Sequence, residues 1–101
     1  MVIYMADIRI NLSNVRRQIN QLRDAQTIVQ REMQKIQSLK TLLSQNWQGN
    51  ASVFFMSKLD EQYVQLFDLS KRLDTVANTI ESVAERIRRE EEALIQASQN
   101  L

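Results

Sequence analysis

A chain of 101 residues, 44% apolar and 25% charged, has the make-up of one small soluble domain, with room for one modest core and none for a separate catalytic domain. It contains no cysteine and no histidine. That excludes disulfides and thiol chemistry and removes the commonest acid–base group and metal ligand. Its net charge of +1 names no partner by bulk electrostatics.

In chain order, the opening Met1–Asp7 does not read as a secretory signal peptide, because the apolar run is short and Asp7 and Arg9 interrupt it. Asn11 is the expected N-cap of a first helix, after Ile8 and Ile10. Apolar positions then recur at Leu12, Val15, Ile19, Leu22, Ala25, Val29, Met33, Ile36, Leu39 or Lys40, Leu43 and Trp47. Steps of three and four are one stripe of an amphipathic helix, expected over about 12–45. The turn is expected at about 46–50, where the only glycine, Gly49, follows the only tryptophan, Trp47. With no proline in the chain, Gly49 is the residue able to take positive φ without steric cost.

A second helix is expected over about 51–95, capped by Asn50 or Ser52, with a frayed tail at 96–101. Its expected seam is Ala51, Phe55, Leu59, Gln62, Leu66, Leu69, Leu73, Val76, Ile80, Val83, Ile87, Glu90 and Leu94, in alternating steps of four and three. Residues 1–46 carry seven Lys or Arg against three Asp or Glu, and residues 50–101 carry six against nine. Opposite signs favour antiparallel pairing, but exposed pairs are each worth only about 0.2–1 kcal/mol, so the apolar seam must hold the helices.

The reading is therefore an all-α chain. One domain, 1–101, forms a hairpin of two long antiparallel helices. Phe54, Met56, Tyr63, Val64, Phe67, Ala77 and Ala84 form a second apolar stripe on helix 2, joined by Ile28 and Leu42 on helix 1. A hairpin alone would leave such a stripe in water, so dimerisation into a four-helix bundle is expected, with Phe54, Tyr63 and Phe67 at the interface.

Candidate chemistry is sparse. No serine or threonine has a histidine base, so the chain is not expected to be an enzyme, and no cofactor is expected. Glu90, Glu91 and Glu92 are consecutive, so they fan around a helix as a solvated face instead of converging on a metal. Arg86, Arg88 and Arg89 are flanked by Glu85 and Glu90–Glu92, which favours pairs such as Glu85–Arg89 over a nucleic-acid surface. No run of eighteen apolar residues exists, so no stable membrane insertion is expected.

The central Trp47-Gln48-Gly49, in a proline-free helical chain of this length, resembles the WXG family of small early-secreted-antigen-like proteins. The resemblance covers essentially the whole chain. It implies a protein secreted through a type VII system without a classical signal peptide and cytoplasmic before export. Its implied partners are a second copy or a paralogue, the secretion ATPase and a larger secreted toxin. It implies action by protein–protein binding, as substrate, co-secreted partner or targeting adaptor. The family's Tyr-x-x-x-Asp/Glu export motif is absent, since Tyr4 and Tyr63 are followed four residues later by Ile8 and Phe67. Ile87, Glu91 and Leu94 match in part the spaced pattern of the Firmicute, homodimeric branch, while Ser98 departs from it. The implied export signal is therefore Trp47 with Glu91 and Leu94. The alternative function is a cytoplasmic structural or adaptor coiled coil, in which the Trp-x-Gly is coincidental.

Overall fold

The structure, a computed structural model, describes the backbone of residues 2–99 and the side chains of residues 12–99. It consists of two helices, α1 (Val2–Asn46) and α2 (Asn50–Gln99), packed antiparallel along their lengths in a rod of 79 × 15 × 14 Å.

Both helices outrun the sequence expectation. Asn11 does not cap α1, because the backbone is already helical from Val2 and nothing between Val2 and Asn11 breaks it. The side chains of Tyr4, Ile8, Ile10 and Asn11 lie outside the described residues. At the other end, α2 continues through Gln96, Ala97 and Gln99, all residues that suit a helix, while Asn100 and Leu101 lie outside the described residues.

The inner face of α1 is the expected stripe. Leu12, Ile19, Val29 and Met33 are buried, and Val15, Leu22, Ala25, Ile36 and Leu43 are half-buried. Lys40, not Leu39, takes the inner position between Ile36 and Leu43.

Helix α2 is turned relative to the expected seam. Four rows at a spacing of seven run side by side along it. An inner row of Met56, Tyr63, Ser70, Ala77, Ala84 and Glu91 faces α1, with Ala77 at 0% exposure. Beside it runs a central row. Leu59 is buried there, Leu66, Leu73 and Ile80 are half-buried, and Ile87 and Leu94 are exposed. Beyond that lies an outer row of Phe55, Gln62, Leu69, Val76, Val83 and Glu90, all exposed. The fourth row, on the far side of the inner one, carries Asp60, Phe67, Asp74, Glu81 and Arg88.

The expected seam had joined the central row to the outer row, whereas the helices meet along the central and inner rows. Size explains the choice. Ser70, Ala77 and Ala84 let the two backbones approach, and dispersion contacts improve as the gap closes.

Interhelix ion pairs lie on the fourth row's side. Arg23 reaches Asp74 at 2.6 Å and Glu81 at 3.6 Å, and also donates to Asn78. Lys40 pairs with Asp60. The hairpin thus has one ionic edge and one apolar edge.

Candidate functional site

The turn is built by a few backbone and side-chain bonds. The Trp47 N–H donates to the Leu43 carbonyl at 2.8 Å, carrying the helical pattern of α1 one residue beyond its end. The Asn46 side chain donates to the Leu42 carbonyl at 2.8 Å. Gly49 then takes φ of 112°, and its carbonyl accepts the first helical bond of α2, from Val53 N–H at 3.1 Å. Gly49 itself therefore stands at the N-cap position, a role for which glycine is acceptable. Ser52 does not cap α2 as expected. Its buried hydroxyl reaches back to the Trp47 carbonyl at 3.0 Å and ties the turn shut.

Trp47 is 39% exposed. Its ring tilts at 51° against Phe55, centroid to centroid 5.8 Å, an aromatic contact that fixes its orientation at the tip. One side of the indole is packed and the other remains open to water.

The other expected export residues lie at the far end. Leu94 is 44 residues along α2 from Asn50, about 66 Å at 1.5 Å per residue. One chain therefore does not bring Trp47 to Leu94. Leu94 is 59% exposed, but Glu91 is only 5% exposed. Glu90 and Glu92 do face solvent, so the fan is real; Glu91 is the correction to a solvated triplet. It falls on the inner row, seven residues after Ala84, and lines a groove with Leu12, Ser13, Arg16, Arg88 and Glu92.

Arg88 bridges Glu85 at 2.6 Å and Glu92 at 2.9 Å, so Glu85 pairs three residues on and not with Arg89. The hydrogen bond from Arg88 holds the Glu85 carboxyl below the usual glutamate range, against a smaller opposing effect of desolvation; the charges of Arg88, Arg89 and Arg16 add to the lowering. The same bond raises Arg88.

The expected interface trio is not brought together. Phe54 is well exposed with Lys58 Nζ 5.4 Å from its ring centroid. Phe67 lies on the ionic edge with Lys71 Nζ 4.8 Å over it. Tyr63 is half-buried on the inner row, against a shallow groove lined by Gln30, Met33, Gln34, Gln37 and Ser38. The trio spans three different directions around α2. Sequence reasoning missed the outer row as a surface, because its residues had been assigned to the intrachain seam. The signal was present in the row of small residues, which marks where two helices come close.

Among the described residues no group of three or more His, Cys, Asp or Glu is placed to hold a metal ion, and no helix is long and apolar enough to cross a membrane.

Comparison with curated proteins and with solved structures gives no match. A family model, WXG100, described as proteins of 100 residues with WXG, matches residues 7–97. That family consists of non-enzymatic helical proteins, and membership implies a small type VII secretion substrate. With the match running through both helices and Trp47-Gln48-Gly49 forming the turn between them, the chain belongs to the WXG100 family.

Proposed function

We propose that this protein acts by protein–protein binding, as a homodimeric substrate or targeting partner of a type VII secretion system, in the manner of the Firmicute branch. The observation that carries the dimer is the unpartnered apolar edge. Phe55, Leu69, Val76 and Val83 on α2 are exposed in one line, with Ile28, Leu39 and Leu42 exposed on α1. The hairpin itself is thinly cored, since among the described residues no large side chain falls below 2% exposure. Two helices form one layer contact, and a second layer is what completes a domain. A second hairpin laid on the apolar edge supplies it as a four-helix bundle.

An antiparallel bundle also answers the distance between Trp47 and Leu94. The tip of one protomer then lies beside the late α2 of its partner, and the two parts of the export signal meet across the dimer. In this reading Leu94 is the exposed tail contributor, and Glu91 shapes the tail from inside. The ATPase of the secretion machinery reads this composite end, and a larger toxin is the cargo such a partner accompanies.

The test is export into culture supernatant. Wild-type protein appears there only when the ATPase is present. Trp47→Ala and Leu94→Asp homodimers stay in the cell while keeping a helical spectrum and dimer mass. A mixed dimer of the two variants retains one intact composite end and is exported at reduced level. Retention in the cell whether or not the ATPase is present removes the secretion reading and leaves a cytoplasmic adaptor. Equal export of both homodimers and the mixed dimer removes the composite end alone.

A further inference from the structure

The ionic edge has a gap. On α2 its row runs Asp60, Phe67, Asp74 and Glu81, and the three acids pair with α1 through Lys40 and Arg23. Phe67 falls where the period of seven places an acid. The α1 row that carries Arg16 and Arg23 likewise continues as Gln30 and Gln37. Between the Lys40–Asp60 and Arg23–Asp74 pairs the helices leave a shallow groove of about 610 Å³. None of its lining residues, Gln30, Met33, Gln34, Gln37, Ser38 and Tyr63, is charged.

Gln30, Gln34 and Gln37 share one face of α1 and are exposed. Their side-chain amides make no hydrogen bond among the described residues, whereas the hydroxyls of Thr27 and Thr41, on either side, donate to the Arg23 and Gln37 carbonyls of their own helix. Each amide offers donors and an acceptor together, the same pair that a peptide group presents. From first to last the three span about 10.5 Å at 1.5 Å per residue, close to three residues of extended chain at about 3.4 Å each. Across the groove stand half-buried Tyr63 and, one turn on, Phe67 at 45% exposure. These rings lie about 6 Å apart along α2, near the ~6.8 Å at which side chains recur on one side of an extended peptide. A helical ligand has its peptide groups bonded to one another and would leave the amides unmatched. A nucleic acid, or an acidic or basic peptide, finds no counter-charge in the lining and loses hydration there. An extended, uncharged peptide matches both walls.

We propose that this groove binds an uncharged segment of another polypeptide in extended conformation, with Gln30, Gln34 and Gln37 bonding its backbone and Tyr63 and Phe67 receiving its alternate apolar side chains. The groove lies on the edge opposite the one offered to a second copy, so the proposed dimer leaves it open. The inference goes beyond that reading and does not rest on it.

The probe is a pool of end-blocked octapeptides in which leucine, valine or isoleucine alternates with serine, threonine or asparagine. Two further pools carry aspartate or lysine at the polar positions, and a fourth probe is an end-blocked helical peptide of alanine, leucine and glutamine. Full-length protein is titrated with each and followed by NMR. The uncharged pool is expected to shift the side-chain amide signals of Gln30, Gln34 and Gln37 and the ring signals of Tyr63 and Phe67, and the charged pools to bind at least about tenfold more weakly. The variant Gln30→Ala/Gln34→Ala/Gln37→Ala keeps the helical spectrum and mass, since alanine suits exposed helix positions, and loses about tenfold or more in affinity, read at the two rings. Gln21→Ala/Gln65→Ala, at exposed glutamines away from the groove, leaves affinity unchanged. Unmoved amide signals with the uncharged pool overturn the proposal. So does equal binding by a charged pool or by the triple variant, or an equal loss in Gln21→Ala/Gln65→Ala. Tighter binding of the helical peptide overturns it in favour of a third helix on this edge. Movement of the same signals on concentrating the protein alone overturns it in favour of a contact between two copies.

Discussion

Gly49 combines φ of 112° with open space, for an added Cβ there meets no heavy atom within 4 Å. The cost of substitution is therefore torsional and not a clash. Gly49→Val should destabilise the protein by about 1–2 kcal/mol, read as a fall in thermal midpoint of several degrees. An unchanged midpoint would mean that the turn does not need this conformation. Glu85 offers a second check at the same scale. Its folded pKa is depressed, chiefly by the hydrogen bond from Arg88. A depressed carboxyl contributes stability that is present above its unfolded value, about 4.3, and is lost as pH falls through the folded value. On this exposed surface the contribution is small, so the measurement is the titration of the Glu85 side chain by NMR. In Arg88→Gln the Glu85 midpoint should move up toward that of an ordinary glutamate. Identical midpoints in the two proteins would show that the pair does not persist in solution.

The element that separates two kinds of surface is α2, because one of its neighbouring rows faces α1 and another faces solvent. Ala77 on the inner row is fully buried against α1, while Val76, one residue earlier, is exposed on the outer row. Val76→Asp should leave the helical spectrum intact yet weaken the proposed dimer by about a hundredfold or more, since an unpaired charge in an apolar contact costs several kcal/mol. Phe67→Glu changes the ionic edge instead, beside Lys71, and should weaken it far less. Sedimentation equilibrium across micromolar concentrations distinguishes these. A Phe67→Glu monomer beside a Val76→Asp dimer would move the interface to the ionic edge. Helix α1 was nearly fully legible, because its apolar stripe is one row wide on each side of its seam. Helix α2 has three adjacent rows that are wholly or partly apolar, and periodicity alone does not say which two of them face α1.

For the whole molecule, an elongated hairpin follows directly from the chain. A period of three and four on both sides of one Trp-x-Gly, with no proline, allows two long helices and one place to turn. The match of the WXG100 model over residues 7–97 agrees with that reading. The ends were less legible, since Asn11 makes a good cap only where a helix starts and α1 had already started. What the sequence by itself determined was the helical class, the site of reversal and the inner face of α1, all of them local or periodic properties. What only the tertiary structure decided was the rotation of α2, and with it the apolar edge, the ionic edge and the burial of Glu91. Rotation depends on how closely two backbones approach, which is set by the sizes of residues far apart in the chain, from Met33 facing Tyr63 to Leu12 facing Glu91.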